Sequence, residues 1–106
     1  MSKVDKDAKP VVAAALTCPN CNWTIFSRAG HDFHSCNCGG ITVDGGFAYL
    51  RVLWQTELVP EPPEAFGLQV NASRRELYDD WNLGKNQYGL LEPEAILVKV
   101  PLPEAE

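Results

Sequence analysis

Apolar and polar positions along the chain fall into short strand-like runs broken by turn formers, with a single stretch of helical period in the C-terminal half. Residues 11–16 (VVAAAL) predict either a strand or one turn of helix, too short in both cases to span a membrane. Residues 22–28 (NWTIFSR), rich in aromatic and β-branched side chains, predict a strand with Trp23 and Ile25 on one side and Thr24 and Phe26 on the other. Ala29 and Gly30 turn the chain, and residues 31–36 (HDFHSC) are expected to return as the partner strand. Residues 41–43 predict a third strand, closed by Asp44, Gly45 and Gly46, which tolerate positive φ. Residues 47–54 (FAYLRVLW) are apolar on both faces apart from Arg51, the pattern of a central strand, with a helix of the same length as the alternative.

The second half changes character. Residues 55–67 hold Pro60, Pro62, Pro63 and Gly67 with three glutamates, and read as a stiff linker that spaces the C-terminal part of the chain from the N-terminal part. Residues 68–70 predict a short strand. Residues 73–82 carry the clearest helix signal: Ser73 and Glu76 form a capping box, Leu77, Tyr78 and Trp81 an apolar stripe, and Gly84 a stop. The exposed side of that helix would present Arg74, Arg75, Asp79 and Asp80. Residues 86–89 predict a turn, and residues 94–100 (EAILVKV) a final strand ended by Pro101 and Pro103. Residues 1–10 read as a flexible polar tail.

The cysteines turn this set of strands into a stapled one. All four lie in two tight pairs, Cys18-x2-Cys21 and Cys36-x-Cys38, with fourteen residues between the pairs. Pro19-Asn20 and Asn37 with Gly39-Gly40 are turn formers, so each pair presents two sulfurs to one point, as in a zinc ribbon. Zinc takes four ligands in a tetrahedron, and four thiolates close its shell to water and substrate, which makes the expected cofactor a structural Zn2+ on Cys18, Cys21, Cys36 and Cys38. The one-residue spacing of the second pair admits a substitute ligand, His34 first and His31 second. An iron-sulfur centre and disulfides are the alternatives; the chain opens Met-Ser-Lys without the apolar core of a secretory signal, and a reducing cytosol does not keep disulfides. The fold class is therefore α+β: a small zinc-ribbon β-sheet followed by one helix and a C-terminal strand. Residues 1–15 are a tail and short apolar segment, 16–54 the ribbon, 55–67 the linker, and 68–106 the helix and strand, packed on or beside the ribbon.

Length and charge narrow the function classes. At 106 residues the chain is one small domain, and a metal cross-link would add binding energy to folding. The net charge of −5 is uneven: residues 1–15 carry +1, residues 16–54 carry 0, and residues 55–106 carry −6 from four basic and ten acidic groups. That balance disfavours a nucleic-acid backbone as the main partner, because such binding rests on Lys and Arg. An acidic surface suits a basic patch on a protein partner, and is also ordinary for a soluble protein. No transmembrane or lipidation signal is present, so no membrane partner is expected.

Taken in order, Cys18-x2-Cys21, Gly30-His31-Asp32-Phe33, Cys36-x-Cys38-Gly39, Val43-Asp44-Gly45-Gly46 and Tyr49-Leu50-Arg51 make a combined pattern over residues 18 to 51. The pattern resembles a family of small, mostly uncharacterised zinc-ribbon proteins met chiefly in bacteriophages and in bacterial genomes that carry prophages. The chain departs from it in having Ala29-Gly30 before His31, where the family usually shows a basic residue, although Arg28 is near. Its longer C-terminal half lies outside the resemblance. The family has no agreed activity. The resemblance implies a phage origin and a cytoplasmic setting, that of the host cell.

Outside the cysteines, His31, Asp32 and Asp44 suggest acid-base work, against the plainer reading that they bond turn N–H groups or support the thiolates. Trp23, Phe26, Phe33, Tyr49 and Trp54 suit base stacking, or at strand spacing a small core. No nucleophile paired with a base and no phosphate loop is recognisable, so an enzyme is not expected. The leading expectation is a non-enzymatic zinc-ribbon protein that binds a host or phage protein. One alternative is an acidic inhibitor of host defence or of a nucleic-acid enzyme that imitates DNA charge through Asp79, Asp80, Glu92 and Glu94. The other is a nucleic-acid-binding ribbon using Arg28, His31 and Arg51.

Overall fold

A computed structural model describes residues 8–28, 32–45, 50–85 and 87–102. Most of the expected N-terminal tail, the Ala29-Gly30 turn, His31, Gly46, Tyr49 and Pro103 lie outside these residues.

The apolar run after Pro10 is a strand, β1 (Val11–Thr17), and it is the centre of the larger sheet. It pairs antiparallel with β2 (Thr24–Phe26) on one side and with β6 (Phe66–Val70) on the other. β7 (Leu90–Leu91) borders β2 and β8 (Val98–Val100) borders β6, giving the order β7-β2-β1-β6-β8. The alanines of β1 suit this position. A strand covered on both faces has little room, and Ala13, Ala14 and Ala15 are all buried.

Alternation along β1 and β2 sorts the interior into two cores. Ala13, Ala15, Phe26 and Leu68 face one side, where Leu77 and Ala72 pack on them. Leu16 and Ile25, opposite one another in register, face the other side and meet Cys18, Cys36, Ile41, Val43 and Val59. Ile41 and Val43 belong to a second, three-stranded sheet in the order β3-β4-β5: β3 (His34–Ser35), β4 (Ile41–Gly45) and β5 (Leu50–Trp54).

The α+β class holds: the described residues form two antiparallel sheets, one helix and a C-terminal strand. The expected hairpin of residues 22–28 with residues 31–36 does not form. β2 pairs with β1, and β3 pairs with β4, so the two cysteine pairs sit on turns of different sheets. The expected central strand at 47–54 is, in its described part, a border strand of the smaller sheet; its apolar outward residues are exposed rather than covered.

The helix, α1 (Arg74–Asn82), starts as its sequence dictates. Ser73 Oγ accepts from the Glu76 N–H at 3.1 Å while Glu76 Oε1 accepts from the Ser73 N–H at 3.0 Å. Leu77 is its core residue, and Tyr78 and Trp81 meet edge to face at 5.6 Å between ring centres. Asp80, expected on the exposed side, is buried.

Candidate metal centre

Each cysteine pair is shaped by its turn. After β1 the chain reverses through Pro19 to Asn22: the Asn22 N–H bonds the Cys18 carbonyl at 2.8 Å, and the Cys18 N–H bonds the Trp23 carbonyl at 2.9 Å. Asn22 takes the left-handed conformation, φ 64°, that closes this knuckle. Between β3 and β4 the Gly39 N–H bonds the Cys36 carbonyl and the Cys36 N–H bonds the Ile41 carbonyl, both at 3.0 Å, with Gly39 at φ 76°.

The two knuckles face one another across the core. The ligand atoms of Cys18, Cys21, Cys36 and Cys38 all lie within 4.8 Å of one another. Cys18 Sγ and Cys38 Sγ are 3.7 Å apart, and Cys36 Sγ and Cys38 Sγ 3.6 Å. A tetrahedron with metal–sulfur bonds of about 2.3 Å has edges of about 3.8 Å, whereas a disulfide bond is about 2.0 Å long. The four sulfurs are therefore spaced as ligands of one ion. Backbone donors add to the fit: Gly40 N–H points at Cys38 Sγ at 3.3 Å and Ile41 N–H at Cys36 Sγ at 3.4 Å, contacts that favour thiolate.

Protonation depends on position. Burial pushes the Cys18 thiol up to about 12 despite backbone donors at Cys21 and Asn20, and pushes Cys36 up as well. The Asn20 side chain and the Gly40 N–H bring Cys38 down to about 6. A cation held by the four sulfurs would displace those protons, since a metal ligand must be thiolate.

A strap covers the buried side of the site, while Cys21 and Cys38 keep part of their surface in solvent. Gln55, just past β5, donates to the Gly40 carbonyl at 2.9 Å, and the next turn (Val59 N–H to Gln55 carbonyl, 2.7 Å) drops Val59 into the core beside Cys18 and Cys36. Val59 is 0% exposed. A methyl group at Gly40 would stand 3.0 Å from Val59 Cγ2 and 3.1 Å from Cys38 Sγ, so a side chain there would push on both the strap and the sulfurs. The segment expected to act as a spacer is thus anchored on the site. Sequence reasoning names Asn20 and Gly40 as turn formers, but their contacts with sulfur are not visible in it.

His34, the first candidate for a substitute ligand, is engaged elsewhere. Its Nδ1 lies 3.2 Å from Asp32 Oδ1 and its Nε2 2.9 Å from the Gly89 carbonyl. Asp32 in turn holds Arg28, accepting from Nε at 2.8 Å, from Nη2 at 3.1 Å and from the backbone N–H at 2.7 Å. Arg28 Nη1 donates to Asp80 Oδ2 at 2.7 Å, and Asp80 also accepts from the N–H groups of Gln87 and Tyr88. Burial alone would raise both carboxyls. For Asp32 the bonds from His34 and Arg28 outweigh it, and for Asp80 those from Arg28, Gln87 and Tyr88; both are held below the usual carboxylate range. The backbone N–H that Asp32 bonds is that of Arg28, just past β2. Of the five aromatic candidates Phe26 is core, Trp23 packs against the cysteine cluster, Phe33 and Trp54 are exposed, and Tyr49 lies outside the described residues.

Residues 11–54 match the model of a family described as a domain of unknown function, DUF7695. The match runs from the first residue of β1 to the last of β5, so it takes in all four cysteines, Arg28 and Asp32. β6, which covers the second side of β1, and Asp80, which completes the pairing of Arg28, lie beyond it. No curated protein and no solved structure matches the chain. No described helix is long and apolar enough to cross a membrane.

Proposed function

We propose that the protein is a non-enzymatic interaction module stapled by one structural zinc ion, which binds a protein partner. The observation that carries the reading is the four-sulfur cluster itself. Its donors come from turns of two sheets and suffice for a full tetrahedral shell, and two of them, Cys18 and Cys36, share a buried core with Val59, an arrangement suited to holding two layers together rather than to activating a substrate. Thiolate donors suit zinc, whose bound form supplies a rigid cross-link and no redox chemistry.

Two other readings lose members to the core. A nucleic-acid ribbon built on Arg28 lacks that cation, which is buried between Asp32 and Asp80. A DNA-like acidic face built on Asp79, Asp80, Glu92 and Glu94 lacks Asp80 for the same reason. The cytoplasmic setting in a phage-bearing host, implied by the motif resemblance, belongs to the proposal.

The test is capture by the zinc-loaded, tagged protein from nuclease-treated bacterial lysate, with bound species identified by mass spectrometry. Stoichiometric recovery of one protein is the expected result. Recovery of nucleic acid alone when nuclease is left out would overturn the reading.

A further inference from the structure

β5 forms one border of the three-stranded sheet, and no described strand pairs with its outer side. The other borders are blunted: β3 and β7 are two residues long each, and β8 carries Lys99 and runs into Pro101. β5 is five residues long without proline, and its one charge, Arg51, stands opposite Asp44. The Gln55 N–H to Gly40 carbonyl bond extends the β4–β5 ladder one pair past Ile41 and Trp54. Backbone direction alternates along an antiparallel strand, so Arg51 and Leu53 bond toward β4 while Val52 and Trp54 turn their N–H and C=O groups to the free side.

Side chains and charge decide what would lie there. Leu53 is 61% exposed and Trp54 40%, with Leu58 exposed in the turn beyond. From residue 52 to residue 73 the chain has three glutamates, Glu57, Glu61 and Glu64, all exposed, and no lysine or arginine. A second copy would bring the same acidic charge to this edge, at −5 for each chain. A basic strand would meet its complement.

We propose that β5 is a docking edge for an extended segment of a protein partner, apolar against Leu53 and basic where it passes Trp54 and Glu57. The proposal rests on the interaction-module reading and names the chemistry of its partner. The segment adds a strand to the small sheet through the outward N–H and C=O groups of Val52 and Trp54. A Lys or Arg opposite Trp54 lies over the indole with Glu57 in reach.

The test uses the zinc-loaded full chain and fluorescein-labelled short peptides of alternating valine and lysine, or of alternating valine and glutamate, read by anisotropy. The lysine peptide should bind, more weakly as salt is added, and the glutamate peptide at least about tenfold less well. Val52→Pro takes away an outward N–H and leaves the bonds to β4; because Val52 also packs in part against the core around Cys18, some melting temperature is lost, but zinc should be kept and binding weakened by about tenfold or more. Glu57→Lys, outside the strand, should weaken it severalfold, and carries the test if the proline variant fails to fold. Equal binding by either folded variant, equal binding of the two peptides, or binding of neither overturns the proposal. So does a dimer in sedimentation that Val52→Pro makes monomeric, which would give the edge to a second copy. In the lysate experiment, capture of one protein equally by wild type and Val52→Pro removes the β5 assignment and leaves the module reading standing; capture of none by wild type removes the module reading.

Discussion

Arg28 Nη1 meets Asp80 Oδ2 at 2.7 Å across 52 residues of chain, and both side chains are buried. The contact joins the end of β2, inside the region of family likeness, to the last turns of α1 outside it. Gly89 accommodates it: at φ 84° and with no side chain, it lets Arg28 pass, where a methyl group would come within 3.0 Å of Arg28 Cδ. Removing Asp80 takes away one of the two carboxylates that hold Arg28 while Asp32 stays in place, and the loss of such a buried charged hydrogen bond typically costs about 1–3 kcal/mol. Asp80→Ala should therefore destabilise the metal-loaded protein by that order in urea unfolding, the more so because the Gln87 and Tyr88 N–H groups lose their acceptor. A loss under about 0.5 kcal/mol, the range of ordinary surface substitutions, would contradict the buried pairing.

What can be read in the sequence is local. Ser73 and Glu76 announce the helix because both halves of the cap lie within one turn, and the cysteine spacing announces a metal site because each knuckle is a single turn. Asp80 escapes such a reading because helical spacing puts it beside Asp79 on a polar face, and its partner is set by the tertiary fold. Strand pairing is hidden for the same reason. β2 and β3 are consecutive in sequence and look like a hairpin, but they bond to β1 and β4 instead, and runs of three and two residues carry almost no register signal. The role of Val59 is masked by its neighbours: prolines and glutamates mark an exposed segment, and one valine among them can still be its anchor.

The cysteine assignment makes a sharp prediction. Cys21→Ser should abolish stoichiometric zinc and lower stability by several kcal/mol, as apparent binding energies at structural zinc sites reach on the order of 10 kcal/mol. Cys18, Cys36 and Cys38 should behave alike, and chelation of the wild type should mimic them. His34→Ala should keep one zinc per chain, because both of its nitrogens are committed to Asp32 and Gly89. Metal content by elemental analysis and melting by circular dichroism decide it; a serine variant that kept zinc and its melting temperature would rule out the four-sulfur site.

Acid should weaken the Arg28 network in a defined direction. Asp32 and Asp80 have folded-state values below the usual carboxylate range, so the unfolded chain binds protons first. Their contribution is complete at pH well above about 4 and is lost as pH falls through the unfolded value of about 3.9 toward the lower folded values, at up to about 1.4 kcal/mol per pH unit for each. Zinc release also occurs in acid, so the informative quantity is a difference. The destabilisation caused by Asp80→Asn should be constant between about pH 7 and pH 5 and shrink below about pH 4. Urea midpoints of both proteins, compared at each pH at equal metal content, test it; a gap that widens in acid would reverse the sign and refute the assignment.

Val59 offers the most direct test of the strap. Its side chain fills the space between Gly40, Cys18 and Cys36, and it reaches that place only because the turn from Gln55 is tied to the Gly40 carbonyl. Truncation to alanine removes two methyl groups, at a cost of about 1–2 kcal/mol, and opens a path for water to the sulfurs. Val59→Asp places a carboxylate against thiolates that already carry the negative charge of the site, so it should loosen the strap further. Both variants should still bind one zinc, since all four ligands remain, but should surrender it faster to a coloured chelator, with the aspartate variant the faster of the two. If zinc left all three proteins at one rate, Val59 would be a core residue that happens to lie near the metal rather than the lid over it.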